Sequence, residues 1–323
     1  MSEPLLIVRD LTREFGRGAR RVRALAGVSL TLDRGQTLGV VGESGSGKTT
    51  LGRAILRLIE PTSGTVRLAG EDLLALSPGT LKRARRRAQI VFQDPFGSLN
   101  PRHTVRHIVG EPLIVHRVGT PAQRRARVDE LLAAVGLGPE AGDRFPHEFS
   151  GGQRQRIAIA RAIALDPDLV IADEPVSALD VSIQSQVLNL IADLRRDRGI
   201  AFLYISHDLS VVRHVSDRVA VMYFGRVVEI DETDRLYARP AHPYTRALLS
   251  AVPRLQGEAG RGERITLEGE LPDPSNPPPG CPFAQRCVSV HGRCRQELPG
   301  LVPRTLTDGS RRPVACHLFP TAG

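Results

Sequence analysis

Residues 38–49 read LGVVGESGSGKT, a short apolar run followed by a glycine-rich loop. The first four residues have the apolar character of a short buried strand, and the residues from Lys48 onward place apolar side chains at helical spacing. The loop between them fits the pattern G-x-x-x-x-G-K-[ST], in the strand–loop–helix context that this pattern requires. Glycines let such a backbone wrap around a phosphate, with its N–H groups pointing inward and a helix dipole behind them. The stretch therefore predicts a phosphate-binding loop.

Two side chains of this loop have specific predicted roles. Lys48 reaches the β- and γ-phosphates of a nucleoside triphosphate, and Thr49 offers its hydroxyl to Mg²⁺. Only two of the 44 basic residues are lysines, so a lysine at position 48 indicates that a compact ammonium is required there. The residues predicted to hold ATP in this loop are Gly42, Glu43, Ser44, Gly45, Ser46, Gly47, Lys48, Thr49 and Thr50.

An acidic pair follows another short apolar run. Residues 169–174 read LVIADE, so Asp173 stands at the carboxyl end of a buried strand and Glu174 comes next. An aspartate in this position can hold Mg²⁺ directly or through water. Glu174 is predicted to be the general base that orients or deprotonates the attacking water.

The motif SGGQRQR at residues 150–156 predicts a second anion site. Ser150 is suited to cap a helix, and the two glycines after it leave the first amides of that helix without side-chain cover. One ATP does not need two helix starts from distant parts of one chain. Two copies packed head to tail, each giving this helix start to the other's γ-phosphate, would use both.

Short apolar strands and helices alternate along the chain, which predicts a doubly wound α/β core. Strands are expected at 5–8, 28–32, 38–41, 90–92, 169–172 and 202–205, and helices at 122–135, 151–165 and 181–197. The stretch from about 94 to 148 has no strong strand signal and is predicted to be a helical insertion. Beyond about residue 250 the chain is rich in Pro and Gly, which indicates a linker or a small irregular domain.

Together these motifs resemble those of the nucleotide-binding subunits of ABC transporters, over roughly residues 5–250, and SGGQ resembles the signature of that family. The resemblance implies an α/β fold, a P-loop NTPase ABC cassette. Such a cassette has a RecA-like core, an antiparallel β subdomain and a helical subdomain, here at about 94–165. The ATPase domain would cover residues 1–252, and residues 253–323 would form a Cys-rich extension of the oligopeptide-transporter type.

The resemblance also assigns roles to four further residues. Gln93 in VFQDP matches the Q-loop glutamine, a ligand of Mg²⁺ or water, and Asp180 in SALD matches the D-loop, which crosses the dimer interface. His207 in YISHD matches the switch histidine at the γ-phosphate, and Phe15 in REFG matches the aromatic residue on adenine, where the family often has Tyr. The implied sets are Glu174, His207 and Gln93 for catalysis, Thr49, Gln93 and Asp173 for Mg²⁺, and Ser150, Gly151, Gly152, Gln153 and Asp180 for the partner subunit's ATP.

Three further segments narrow the resemblance. QDPFGSLNPR, PHEFSGGQRQR and AHPYTRALL, followed by a Cys-rich tail, resemble the ATPases of oligopeptide and dipeptide importers. LNPR resembles the second of the two non-identical ATPases in those systems. The implied partners are a homologous ATPase subunit in a heterodimer, two transmembrane permeases and, indirectly, an extracytoplasmic solute-binding protein. Nickel or another small solute is the alternative cargo.

The four cysteines all lie in the last fifth of the chain, at positions 281, 287, 294 and 316. In a protein of the cytosol such a cluster indicates a metal site rather than a disulfide framework. The gaps are longer than those of common zinc ribbons and fit a four-thiolate cage of irregular loop. Relatives with this tail are similar in carrying a [4Fe–4S] cluster. Cys281, Cys287, Cys294 and Cys316 are therefore predicted to hold such a cluster, with Zn²⁺ or unligated thiols as alternatives.

Composition sets the remaining expectations. No apolar run reaches the ~20 residues of a membrane-spanning helix, and no secretory signal is visible, so we expect a peripheral protein on the cytoplasmic face of the membrane. The net charge of +9 is compatible with an alternative function, that of a soluble ABC ATPase that acts on nucleic acid. No sustained heptads or second cassette support that alternative, and no nucleic acid is expected. A regulatory module that binds ATP without cleaving it is disfavoured by Glu174 and His207.

Overall fold

The computed structural model describes residues 3–16, 21–252, 265–267, 269–270 and 272–321. The described residues form two compact units, which are treated separately below. Those of the first unit fall within Met1–Leu6, Leu32–Thr37 and Arg67–Ile205, and those of the second within Ile7–Thr31, Leu38–Val66 and Ser206–Gly323.

The secondary structure mixes strands and helices throughout. The strands are β1 (Leu6–Phe15), β2 (Val22–Leu32), β3 (Thr37–Val41), β4 (Ser63–Leu68), β5 (Glu71–Asp72), β6 (Ala88–Val91), β7 (Leu169–Asp173), β8 (Ala201–Ile205), β9 (Arg218–Tyr223), β10 (Arg226–Glu232), β11 (Val302–Thr305) and β12 (Arg311–Val314). The helices are α1 (Lys48–Ile55), α2 (Pro78–Ala84), α3 (Pro95–Ser98), α4 (Val105–Val115), α5 (Pro121–Ala134), α6 (Gly151–Ala162), α7 (Val181–Arg198), α8 (Leu209–Val215), α9 (Thr233–Ala238), α10 (Pro243–Ser250) and α11 (Gly292–Gln296).

In the first unit, β6, β7 and β8 form a parallel sheet. Ala88 pairs with Leu169, and Leu169 pairs with Ala201, so the three strands run in register. Strands β7 and β8 are buried along their whole length, as the continuous apolar runs of a parallel sheet require. Helix α7 connects β7 to β8, which confirms the predicted alternation of strand and helix.

The predicted helical insertion is confirmed in the same unit. Between β6 and β7 the described residues contain helices and two 3₁₀ turns but no strand. Helix α5 begins after Thr120, whose hydroxyl accepts the N–H of Gln123 while the Gln123 side chain accepts the N–H of Thr120. This reciprocal capping fixes the start of the helix at the residue before the predicted 122–135 segment. Helix α6 ends at Ala162, three residues earlier than expected.

In the second unit, β3 lies in a mixed sheet. It pairs in parallel with β9, and β9, β10, β12 and β11 then follow as antiparallel neighbours. A second sheet in this unit contains β2, β1 and β4 in that order. The predicted strand segment 28–32 is part of the longer strand β2, and the segment 5–8 overlaps β1, which begins at Leu6. Both strands extend beyond the predicted segments, whose neighbours mix exposed and buried positions and so form no continuous apolar run.

The last residues of the chain join this mixed sheet rather than forming irregular loop alone. Strand β12 pairs with β10 through Glu229 and Val314. Arg312 makes a buried ion pair with Asp231, at 2.7 Å between Nη1 and Oδ2. Glu229, which is fully buried, accepts the N–H groups of Ala241 and His242 at 2.9 and 2.8 Å. Because each buried charge has partners, the attachment of the C-terminal strands avoids the penalty of uncompensated burial.

His242 is a buried titratable group in this part of the second unit. Its side chain is 1% exposed, and Nδ1 accepts the N–H of Tyr244 at 3.1 Å, which caps the first turn of α10. Burial lowers the pKa of His242 from its ordinary 6.5 to about 3, because charging the ring would place a cation away from water. The folded protein therefore keeps this imidazole neutral.

We expect His242 to make the protein less stable as the pH falls below 6.5. The folded-state pKa is depressed, so the unfolded chain binds the proton first, and stability present above pH 6.5 is lost as the pH approaches 3. Between pH 7 and pH 5 this single group should cost roughly 2 kcal/mol. His242→Asn keeps an acceptor for the Tyr244 N–H but does not titrate. Thermal unfolding from pH 5 to pH 7 should show a weaker pH dependence for the variant than for the wild-type protein, and equal slopes would contradict the assignment.

Candidate functional site

The phosphate-binding loop follows β3 directly in the second unit. Its three glycines, Gly42, Gly45 and Gly47, have φ values of 155°, 79° and 102°. Only glycine adopts these angles at low cost. Two of the glycines are also packed against other backbone, because an added Cβ would meet the carbonyl oxygen of Met222 at Gly42 and that of Ala24 at Gly47. The turn from β3 into α1 therefore needs glycine both for conformation and for space.

Lys48 lies inside the loop with only 6% of its surface exposed. Its ammonium donates to the carbonyl oxygens of Gly42 and Glu43 at 2.7 and 3.0 Å, and it contacts Ser46 Oγ at 3.4 Å. The cation is thus held by the concave backbone of the loop itself. A phosphate group would offer anionic oxygens, which bind an ammonium more strongly than neutral carbonyls do.

Two residues that the sequence analysis did not assign contact the same loop. Tyr244 accepts the N–H of Glu43 at 2.9 Å between N and Oη. Arg286 donates to both carboxylate oxygens of Glu43, at 2.8 and 3.0 Å. Tyr244 lies in AHPYTRALL, a segment used above only as a mark of the importer subfamily. Nothing in the sequence singles out Arg286 apart from its position next to Cys287.

The other predicted ATP-site residues of the second unit lie nearer the surface. Phe15 is the last residue of β1 and is 37% exposed, with the Arg13 guanidinium 4.4 Å from the centre of its ring. His207 is exposed and follows the buried Ser206, whose hydroxyl accepts the N–H of Asp208. Both side chains therefore reach the surface of the second unit.

The predicted catalytic carboxylate lies in the first unit. Asp173 is the last residue of β7 and is 1% exposed. Glu174 follows with a φ of 49°, a left-handed conformation that costs energy for a residue with a Cβ. Its N–H donates to the Ile205 carbonyl at 2.9 Å, and its carboxylate accepts the side-chain amide of Gln93 at 2.9 Å. The structure thus brings together two of the three predicted catalytic residues.

The SGGQ motif forms the predicted capped helix start in the same unit. Ser150 Oγ accepts the N–H of Gln153, and Gln153 Oε1 accepts the N–H of Ser150, so the prediction of Ser150 as the N-cap is confirmed. The two glycines differ in their surroundings. An added Cβ at Gly151 would lie in ordinary contact, 3.4 Å from Leu179, whereas one at Gly152 would clash with Ile183 of α7. Gly152 therefore also allows α6 and α7 to pack closely.

The segment between Glu174 and α7 carries the predicted D-loop. Ser177 and Asp180 are exposed, and Ser177 Oγ donates to the Glu174 carbonyl at 3.1 Å. Asp180 stands at the N-cap of α7, and Val181 behind it is 78% exposed. The predicted D-loop therefore lies at the surface of the first unit.

The four cysteines lie near one another in the second unit. The Cys281 N–H donates to the Cys294 carbonyl at 2.8 Å, and Cys294 and Cys316 are buried. Burial raises the pKa of Cys281 to about 11, and the neighbouring Cys316, Cys294 and Cys287 add to this shift. Among the residues that the structure describes, no group of three or more His, Cys, Asp or Glu side chains is arranged to hold a metal ion. The predicted cluster stays a prediction at this point.

A glycine-rich phosphate loop, a strand-end acidic pair and a capped SGGQ helix start define a nucleotide-binding cassette. The family model described as ABC transporter matches residues 25–177, which include all three motifs. A second model, described as the C-terminal region of oligopeptide/dipeptide transporters, matches residues 228–294. The chain belongs to the ABC transporter family as an ATP-binding protein, and it is an ATPase of that family.

Relatives match the chain over nearly its whole length. The oligopeptide transport ATP-binding protein AppF of Bacillus subtilis is 50% identical over 327 residues, covering 98% of this chain and 98% of its own. The YkfD protein of the same organism is 51% identical over 322 residues, covering 99% of this chain and 97% of its own. The cassette and the C-terminal extension therefore occur together in these relatives.

Solved structures match the cassette portion. The ATP-binding cassette MJ0796, in a dimeric post-hydrolysis state with ADP and phosphate, is 31% identical with a TM-score of 0.65, over 71% of this chain and 98% of its own. CbiO1 of Clostridium perfringens, part of an ABC transporter complex, is 28% identical with a TM-score of 0.66, over 74% of this chain and 92% of its own. These likenesses confirm the α/β P-loop cassette fold. Within the described residues, no helix has the length and apolar character needed to cross a membrane.

We expect Gly152→Ala to destabilise the first unit. The added methyl group would push α6 away from Ile183, and overpacking of this kind costs about 1–3 kcal/mol, more than the gain in helix propensity. Gly151→Ala is the matched control, because its methyl group meets Leu179 at an ordinary distance. Urea unfolding should show a lower midpoint only for Gly152→Ala. Ile183→Ala added to that variant should restore part of the loss, and no recovery would argue against the clash.

Proposed function

We propose that this chain is the ATP-hydrolysing subunit that powers import of oligopeptides or dipeptides through an ABC transporter. The observation that carries the proposal is the presence, in one chain, of the matched ABC transporter region, with its phosphate loop, SGGQ motif and acidic pair, and of the matched oligopeptide/dipeptide C-terminal region. Relatives of nearly the same length are named for oligopeptide transport. The cargo itself never needs to touch this subunit, so the proposed cargo rests on these relatives.

In the proposed reaction, the loop from Gly42 to Thr49 holds the phosphates of ATP. Thr49, Gln93 and Asp173 offer a hydroxyl, an amide and a carboxylate, which are oxygen ligands suited to Mg²⁺. When bound, this ion neutralises charge that develops on the phosphates. The side chain of Phe15 would stack on the adenine.

Glu174 is the proposed general base. Its carboxylate now accepts a hydrogen bond from Gln93, and the same oxygen would accept a proton of the attacking water. His207, exposed beyond β8, would contact the γ-phosphate. The strained backbone at Glu174 supports this role, because a left-handed non-glycine residue is often retained where it aims a functional side chain.

The second anion site is proposed to serve the ATP of a neighbouring subunit. Ser150, Gly151, Gly152 and Gln153 present the start of α6, and Asp180 lies on an exposed loop of the same unit. MJ0796, the solved relative, is dimeric. We propose that the neighbour here is a different but homologous ATPase, so that the pair closes around two ATP molecules and reopens after hydrolysis.

The transporter would contain two transmembrane permeases, with an extracytoplasmic solute-binding protein delivering the cargo. We propose that this subunit is peripheral, at the cytoplasmic face of the membrane, and that the helical stretch at about 94–148 docks on the permeases. Closure of the ATPase pair would then change the side of the membrane to which the permeases open. The ATPase domain is proposed to cover residues 1–252 and the extension residues 253–323, of which 253–264, 268, 271 and 322–323 lie outside the described residues.

The extension is proposed to bind a [4Fe–4S] cluster through Cys281, Cys287, Cys294 and Cys316, with Zn²⁺ as the alternative. Two features support four-thiolate ligation: neighbouring cysteines contribute to the raised pKa values of Cys281 and Cys316, as thiols that lie close together do, and the Cys281 N–H donates to the Cys294 carbonyl. Gly280 packs so tightly on the backbone of Cys294 and Arg295 that a Cβ would collide with it, which keeps the two cysteine segments close.

Glu174→Gln should abolish turnover while ATP binding remains. The amide has nearly the shape of the carboxylate but cannot accept the proton of water, so we expect a loss of at least about 100-fold in ATPase rate. The measurement is phosphate release by the reconstituted transporter, together with ATP titration of the same sample. The trapped ATP state should also hold this chain and its companion ATPase together in size-exclusion chromatography. Undiminished hydrolysis would refute the assignment of Glu174 as base.

Anaerobically purified protein should absorb near 400 nm if the thiolates hold iron, with about four Fe per chain. Changing all four cysteines to Ser should remove both the absorption band and the metal. Zinc in place of iron would support the alternative, and the absence of both metals from freshly purified protein would contradict a metal site.

A further inference from the structure

The C-terminal extension reaches the phosphate loop through one ion pair. Arg286 Nη1 lies 2.8 Å from Glu43 Oε2, and Nη2 lies 3.0 Å from Oε1, so the guanidinium grips the carboxylate with two parallel hydrogen bonds. The Arg286 side chain is 7% exposed and that of Glu43 26%. This pair is therefore more shielded from water than the ordinary surface ion pairs of the protein, which contribute little.

Glu43 is the second residue of the loop, and three different groups hold it. Tyr244 Oη accepts its N–H, the Lys48 ammonium donates to its carbonyl oxygen, and Arg286 binds its carboxylate. The residues that hold Glu43 are themselves packed among aromatic rings. Arg286 lies 5.9 Å from the centre of the Tyr223 ring, and Phe283 contacts both Tyr223 and Tyr244. Glu43 is thus held by Tyr244 and Arg286, whose side chains pack against the rings of Tyr223 and Phe283 in the second unit.

A carboxylate in a phosphate-binding loop has the wrong charge for its ligand. Left alone, the Glu43 carboxylate would repel a triphosphate bound by the same loop, because like charges at short range are costly where water is partly excluded. Arg286 offsets this charge, and its planar fork fixes the direction of the side chain as well. The guanidinium pKa rises above its usual range, since the Glu43 carboxylate favours its charged form.

We propose that Arg286 is a positioning residue for ATP, by which the C-terminal extension completes the phosphate loop. It would neutralise Glu43 and hold the loop in the conformation that receives the β- and γ-phosphates. A loop held in its binding geometry loses less conformational freedom when the ligand arrives, so affinity rises without any new contact to the ligand. The inference rests on the proposed function as an ATPase, and it adds a residue that lies outside every recognised motif.

Arg239 provides a matched comparison. It also forms a single ion pair with the extension, to Asp308 at 3.1 Å, but its side chain is 74% exposed and its partner does not belong to the phosphate loop. Removing Arg239 therefore deletes an arginine–carboxylate pair of similar chemistry without changing the loop. The contrast separates a specific effect at Glu43 from a general loosening of the extension.

The test measures binding of MgADP to the full chain, because ADP occupies the phosphate loop and is not hydrolysed. We expect Arg286→Ala to weaken binding by about tenfold, Arg286→Lys by less because an ammonium cannot form the fork, and Arg239→Ala not at all. Glu43→Gln added to Arg286→Ala should recover most of the loss, since the unpaired carboxylate is then gone. Thermal unfolding midpoints of all variants show whether folding has changed.

Equal affinity of wild-type protein and Arg286→Ala would overturn the inference. So would a loss that Glu43→Gln fails to recover, because Arg286 would then act through general stability and not through the Glu43 charge. Lys48→Ala separates these results from failure of the proposed function. If wild-type protein and Lys48→Ala both fail to bind MgADP, the ATPase assignment itself is wrong. If only Lys48→Ala fails to bind MgADP, the nucleotide site is real, and the affinities of the Arg286 and Glu43 variants then decide the inference.

Discussion

The turn of the backbone from β3 into α1 is the constraint on which the site depends. Its three glycines, Gly42, Gly45 and Gly47, all have positive φ values, and Gly42 and Gly47 also lie against carbonyl groups that exclude a side chain. Such a turn does not hold itself, because glycine loses more conformational freedom on folding than any other residue. The Lys48 ammonium holds the loop from within, and Tyr244 and Arg286 hold it from distant parts of the chain.

The two units position a functional residue after a strand in different ways. Both place a chemically important residue directly after a strand that is buried on both faces, so the strand fixes the position of the residue. In the second unit the conformational freedom of glycine makes the turn possible. In the first unit Glu174 itself takes the left-handed conformation, and its bond to the Ile205 carbonyl helps to hold it there. In both units the buried strand holds the following residue in a backbone conformation that would otherwise be unfavourable.

Local pattern predicted the features that local physics controls. The buried strands β3, β7 and β8, the helical region and the Ser150 cap follow from apolar periodicity and capping chemistry within a few residues. The clash that makes Gly152 necessary depends on α7, and the pairing of β12 with β10 joins segments about 80 residues apart. The pair of Arg286 and Glu43 spans 243 positions, and no local rule connects them. Sequence reasoning therefore found the motifs but not the residues that hold them in place.

The distance along the chain between Glu43 and Arg286 has a consequence for biosynthesis. A ribosome adds about 5–20 residues per second, so Arg286 is made roughly 10 to 50 seconds after the carboxylate that it grips. Before that interval ends, the nascent chain contains the glycine loop, the SGGQ helix start and the acidic pair, which all lie in the first 180 residues. A polypeptide released at that stage would carry these three motifs and would still lack the guanidinium that offsets the negative charge of Glu43.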